Sequence, residues 1–152
     1  MGTFFVEIPN LPLLIDALAA FPAIAQPILE KAIPAALAIL AKYTTPATVP
    51  VRTGYLVNNW GQTLNGLKGS WYPKAAYASY VEFGTRPHTI LAVNARVLAN
   101  QETGQIFGPA VNHPGTQANP FIERIMAAAQ PEITSTFETA LAQIMASITT
   151  PA

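Results

Sequence analysis

The sequence predicts an α+β fold, a curved and mainly antiparallel sheet with hairpins packed against a long N-terminal helix and C-terminal helices. Three observations predict it. Apolar residues recur at helical spacing from Leu11 to Tyr43 and again after Asn119. Between these stretches, short aromatic and β-branched runs alternate with Gly, Asn and Pro. The helical segments sit at the two ends and do not alternate with strands, which argues against a parallel sheet. A chain of 152 residues is the size of one ordinary domain. The expected organisation is therefore a single domain: a helical, apolar part over residues 1–45, a β-rich middle over 50–118 and helices over 119–150.

Pro12, Pro22, Pro27 and Pro34 punctuate the first part. Proline suits the first turn of a helix and disrupts an interior, so the spacing predicts a short helix over 11–20 and a longer one over 26–43, bent near Pro34. Leu29, Ile33, Leu37 and Leu40 form one stripe of the longer helix, and Ile28, Ala32, Ala35 and Ile39 a second. Two stripes imply a helix packed on more than one side. A loop with two prolines follows and turns at Thr53-Gly54. Asn65-Gly66, a strong hairpin dipeptide, separates strand-like runs near 60–64 and 67–72.

The segment "KAAYASYVEFG" reads as a strand or a short helix; Tyr77, Tyr80 and Val81 at helical spacing, with Gly84 as a stop, favour the helix. From His88 to His113 the pattern is β, with Gly104 in a tight turn and Glu102 at an exposed tip. Asn119 and Pro120 suit the N-cap and first position of a helix. Phe121, Ile122, Ile125, Met126 and Ala129 form its inner side. Pro131 then begins or kinks a last helix, striped by Ile133, Phe137, Leu141, Ile144 and Ile148.

Charged residues make up 11% of the chain, less than half of the ~25% usual in soluble domains. Neutral Asn, Gln, Thr and Ser supply some of the wetting and permanent concealment of surface in an oligomer removes part of the need, so an assembly subunit is expected. The net charge is zero, yet residues 42–100 carry Lys42, Arg52, Lys68, Lys74, Arg86 and Arg96 against Glu82 alone. This basic middle is spread out. It has the sign to face a polyanion but not the clustering of a sequence-reading nucleic-acid surface, and a solvated face paired to the acidic ends explains it equally well.

The absence of cysteine excludes disulfides, thiolate metal sites and a cysteine nucleophile. The start "MGTFFVEIPN" has no basic, apolar leader pattern, and Val6 stands where a myristoylation motif needs Ser or Thr. The longest uncharged apolar run, Ala32 to Ala41, is half of the ~20 residues that span a bilayer. The expectation is a soluble protein made in the cytoplasm, with no membrane partner.

Both histidines lie beside prolines, in "YVEFGTRPHTI" and "VNHPGTQANPF". Glu82, His88 and His113 are the only set with a case for a metal-dependent hydrolase, and their spacing is not that of a metalloprotease helix. The competing structural reading has Glu82 paired with Arg86 or a neighbouring subunit while the imidazoles cap turns. No serine stands in a nucleophile elbow and no phosphate-binding loop occurs. No cofactor is expected. The most specific features are turn formers: Gly54, Gly84 and Gly115 suit positive φ, and Pro87 and Pro114 fix φ where the chain changes direction.

Three of these segments together carry a resemblance. "VRTGYL" (Val51 to Leu56), "YASYVEFGT" (Tyr77 to Thr85) and "HPGTQANPF" (His113 to Phe121) resemble, in order and spacing, the neck or tail-completion proteins of long-tailed bacteriophages. The likeness covers roughly residues 50–130. Arg52, Thr53, Gly54 and Leu56 match one motif, and Tyr77, Ala78 and the run from Tyr80 to Thr85 a second. His113 to Thr116, with Pro120 and Phe121, match the third. Where such proteins often continue with Arg-Pro-Ala, this chain has Ile122-Glu123-Arg124-Ile125.

The resemblance implies a non-enzymatic virion protein, assembled in the host cytoplasm and located at the head–tail junction. There it would form a homo-oligomeric ring in the neck around the DNA channel, which completes the tail. The implied partners are portal or connector proteins, tail terminator or tail tube proteins, and packaged DNA held without sequence specificity. Arg52, Glu82, Arg86, His88 and His113 are then candidates for contacts between subunits or with partners. Alternatives in the same class are a tail terminator or head-closure protein. In other classes they are the metal-dependent hydrolase above and a small DNA-coating regulator.

Overall fold

The computed structural model describes residues 11–93, 95–101 and 103–149. The readings made above for residues 1–10 and for Glu102 lie outside them. The element order is α1 (Leu11–Tyr43), α2 (Tyr55–Asn58), β1 (Trp60–Asn65), β2 (Lys68–Pro73), α3 (Ala78–Phe83), β3 (His88–Leu91), β4 (Leu98–Ala99), β5 (Ile106–Gly108), β6 (Ala110–His113) and α4 (Phe121–Thr149). The fold is α+β, with an N-terminal helix, a C-terminal helix and hairpin strands. Among the described residues the strands form three two-stranded ladders, β1–β2, β3–β6 and β4–β5, where one curved sheet was expected.

The chain divides into two compact units, one of Met1–Tyr43, Gln62–Tyr72 and Met126–Ala152, the other of Thr44–Gly61 and Pro73–Ile125. In the first, α1 is one helix of 33 residues that contains Pro22, Pro27 and Pro34. The expected break does not occur because all three prolines are exposed. Each removes a single N–H, and a proline on the solvent side of a helix leaves the freed carbonyl within reach of water. Pro131 is also exposed and runs through α4 without ending it, so the two expected C-terminal helices are one.

Both stripes of α1 are used. Leu37 comes from the first and Ala32 and Ile39 from the second, and all three are buried, as is Ala25. On the part of α4 in this unit the buried positions are Ala129, Ala140 and Ile144, while Phe137 and Leu141 of the expected stripe are exposed. The inner face is thus rotated toward its alanines. Ala32 and Ala140 line one groove together with Thr136.

At its end α1 is tied to α4 by Lys42 Nζ, 2.6 Å from Glu132 Oε2, which also accepts from the Tyr43 hydroxyl at 3.2 Å. Gly69 on β2 lets that strand lie on α1, since a Cβ there would come within 2.8 Å of Ile33 Cγ2.

Ala19–Tyr43 is long and apolar enough to cross a membrane by length and composition, with mean hydropathy 1.5. Glu30 and Lys31 stand side by side near the middle of that stretch, both exposed, and a lysine at the bilayer centre costs ~3 kcal/mol. The buried positions of α1 named above belong to the same stretch, so it has a protein-packed face.

In the second unit Phe121 and Val49 are fully buried, with Leu56, Ala75, Ala78 and Ile125 around them. Trp60 meets Phe121 edge-on, ring centroids 6.1 Å apart, and its indole N–H donates to the Leu56 carbonyl at 2.8 Å. Burial of side chains such as Phe121 and Ile125 contributes ~1.5–3 kcal/mol each and seats the first turn of α4.

Candidate functional site

The second unit gathers all three motifs. Thr85 and Thr116 exchange backbone hydrogen bonds, N–H to carbonyl at 2.9 Å one way and 3.1 Å the other, as an isolated antiparallel bridge. Three residues along, His88 pairs with His113, and the ladder continues through Thr89–Asn112 and Ile90–Val111 to Leu91–Ala110. Arg86-Pro87 on one side and Pro114-Gly115 on the other separate bridge from ladder. Neither proline has an N–H, so the pairing lapses there and resumes beyond.

Two glycines make the bridge possible. Gly84 has φ 71° and Gly115 φ 88°. A Cβ on Gly84 would run into the Thr116 carbonyl oxygen and lie 2.7 Å from Ala118 N. A Cβ on Gly115 would run into the Thr85 carbonyl oxygen and lie 2.9 Å from Arg86 C. Each glycine therefore accommodates the other corner's backbone. The turns read separately in the sequence are two halves of one lock.

Glu82 closes the same corner from inside. It is 8% exposed, and its Oε2 accepts from the Ile122 N–H at 3.0 Å in the first turn of α4. A carboxylate is favourable at that position because the unpaired N–H groups carry partial positive charge. This replaces two expectations. Glu82 makes no ion pair with Arg86, since Lys42–Glu132 is the salt bridge seen among the described residues. Asn119 also does not cap with its side chain: its Oδ1 accepts from Arg124 Nη2 at 2.6 Å while its N–H donates to the Val81 carbonyl at 2.9 Å.

The histidines stack, ring centroids 5.1 Å apart and planes inclined by 32°. His113 Nδ1 accepts from the Gly115 N–H at 3.0 Å. His88 Nδ1 lies 2.9 Å from the Arg86 carbonyl and must carry its proton there, since a carbonyl only accepts. The imidazoles thus hold turns through Nδ1 in opposite roles, donating in His88 and accepting in His113. Glu82 is turned away to α4, and among the described residues no three His, Asp or Glu side chains gather as a metal-holding group. Glu82, His88 and His113 do not form the convergent set that a metal-dependent hydrolase needs.

Beside the lock lies a groove of about 490 Å3, lined by Pro50 to Leu56 with Tyr77 and Val81. The first two motifs build it together. Gly54, at φ 82°, turns the chain into α2, which seats Leu56 in the core and leaves Tyr55 half exposed. The Tyr55 and Tyr77 rings stand 6.4 Å apart at the rim, and Arg52 supplies the charge. Arg86 is exposed at the base of the β3–β6 ribbon. The groove's aromatic residues were not among the candidates read from the sequence. Tyrosines at positions 55 and 77, within two motifs also rich in glycine and small residues, were the available signal.

Residues 14–84 match the family model described as Bacteriophage HK97-gp10, putative tail-component. The match takes in most of α1, which the motif resemblance had left out, and both groove-building motifs; it ends at Gly84, before the third. No curated protein matches the chain, and no solved structure does.

Proposed function

We propose that this chain, a relative of the phage tail-component family, is a structural subunit of the neck. In this reading it forms a homo-oligomeric ring between portal or connector and tail, around the channel through which DNA passes. The supporting observation is that the motifs build a rigid corner and an apolar, aromatic-rimmed groove where an enzyme would converge titratable groups. A locked corner fixes the direction of the elements that leave it, which is what accurate docking of identical subunits requires.

Arg52, Arg86, His88 and His113 are the side chains proposed to meet neighbouring subunits or partner rings. Glu82 is left out because its carboxylate is engaged with α4. One or two charges per interface set orientation and encounter more than affinity. The basic residues of the middle part face DNA or an acidic partner ring, held without sequence readout. No membrane takes part.

A phage in which the gene for this chain is interrupted tests the reading. It should accumulate DNA-filled heads and separate tails that join when the purified protein is added. Normally joined particles made without the protein would overturn it.

A further inference from the structure

The segment from Thr85 to Thr116 is a β-arm with no core of its own. Among its described residues not one is buried. Neighbouring residues of a strand point to opposite faces of the ribbon. Ile90 and Leu91 on β3 are 37% and 62% exposed, and Ile106 and Phe107 on β5 are 69% and 45% exposed. Both faces of the arm are therefore open, and two-stranded ribbons are marginal in water without a face to pack on.

The rest of the second unit does not draw on the arm. Its core consists of Val49, Leu56, Ala75, Ala78, Phe121 and Ile125, all outside Thr85–Thr116. Beyond the base, the hydrogen bonds described for the arm join its own residues. The Ala92 N–H donates to the Pro109 carbonyl at 2.9 Å, the Asn100 N–H to the Gln105 carbonyl at 2.8 Å, and the Thr89 hydroxyl to Asn112 Oδ1 at 2.9 Å.

The base is built differently. The Thr116 N–H donates to the Thr85 carbonyl at 3.1 Å and to its Oγ1 at 2.9 Å, between the close-packed corners at Gly84 and Gly115. The bonds from Asn119 N–H to the Val81 carbonyl and from Ile122 N–H to Glu82 continue from there into the core. On the other side Pro87 and Pro114 have no N–H to give, so the pairing is interrupted before the β3–β6 ladder resumes at His88 and His113.

We infer that the β3–β6 and β4–β5 ladders open and close as a segment of their own, with the Thr85–Thr116 bridge as the boundary and the core of the second unit undisturbed. Stability is local: a segment with no buried side chain and with solvent-exposed backbone hydrogen bonds opens at a small fraction of the global cost. The two prolines mark where cooperativity stops, because no hydrogen bond of the ladder crosses them. Such an arm is a conformational device. It takes a new course when another surface meets it, and the subunit behind it keeps its shape. The inference does not depend on the ring reading above.

Hydrogen exchange resolved to single amides tests it. The bonded amides of Ala92 and Asn100 should exchange about a hundredfold or more faster than those of α4 around Ile125, after correction for intrinsic rates. Val111→Pro breaks the ladder opposite Ile90; it should abolish protection in the arm and leave the urea midpoint of the protein unchanged, whereas Phe121→Ala should lower that midpoint strongly.

Arm amides that exchange as slowly as those of α4 even in dilute protein overturn the inference. So does a Val111→Pro protein whose midpoint falls with the loss of its ladder. Fast exchange in dilute protein that slows as the concentration rises keeps the inference and shows that assembly covers the arm.

Discussion

Glu82 Oε2 accepts the Ile122 N–H at 3.0 Å, so that a carboxylate at the end of α3 caps a helix forty positions further on. This bond ties the second motif to the residue that follows the third, while the Thr85–Thr116 bridge joins the two motifs directly.

Replacement of Glu82 separates its two contributions. Glu82→Ala should cost ~0.5–2 kcal/mol, the range for losing a helix cap. Glu82→Gln keeps an acceptor and loses the charge, and should cost ~0.3–1 kcal/mol. Urea midpoints of the three proteins measure this, and equal losses for Ala and Gln would show that the hydrogen bond is not what matters.

The glycine lock makes a graded prediction. Gly84→Ala and Gly115→Ala combine positive φ with a collision against backbone, and each should cost more than ~2 kcal/mol. Gly66→Ala and Gly104→Ala have positive φ but nothing within 4 Å of the added carbon, and should cost ~1 kcal/mol. The double variant at 84 and 115 should lose less than the sum, because both press on one bridge. Thermal unfolding of the set would contradict the lock if all four substitutions cost the same.

Lys42–Glu132 has a pH signature of its own. The hydrogen bond from Lys42 holds the Glu132 carboxyl below its ordinary value of 4.5, and the bond to Glu132 holds Lys42 above 10.5. Stability from the lowered carboxyl is present above its unfolded value and disappears as pH falls through its folded one. Stability from the raised ammonium is present below its unfolded value and disappears as pH rises through its folded one. The difference between wild type and Glu132→Gln should therefore be small at neutral pH, as for exposed pairs in general, and vanish in acid. A difference that grows in acid would contradict the assignment.

Gly69 marks the contact of β2 with α1. Gly69→Ala would place a methyl 2.8 Å from Ile33 Cγ2 and 3.1 Å from Leu37 Cδ1, and should cost ~1–3 kcal/mol through forced repacking. In a double-mutant cycle Gly69→Ala should cost less in an Ile33→Ala background, which lacks Cγ2, than in the wild type; independent effects would argue against the contact.

Local chemistry was legible in the sequence and long-range chemistry was not. The Asn65-Gly66 hairpin, the helix ending at Gly84 and the β pattern around both histidines follow from spacing and φ preference, which neighbouring residues decide. The prolines of α1 and α4 misled because their cost depends on whether water reaches the freed carbonyl, a property of the folded surface. Glu82 misled for a related reason: a carboxylate near Arg86 reads as half of an ion pair, and only the fold reveals a helix start above it. The glycines were read as turn formers, which they are. That Gly84 and Gly115 each make room for the other's corner requires the 85–116 pairing, which sequence spacing does not encode.

The proposed role makes this chain a ring subunit at the head–tail junction. Cryo-electron microscopy of purified particles carrying a tagged copy tests it most directly. The account predicts density for the chain as a closed ring in the neck, coaxial with the DNA channel, with neighbouring copies joined through the second unit. Density only along the tail shaft or at its tip, or particles without the protein, would contradict it.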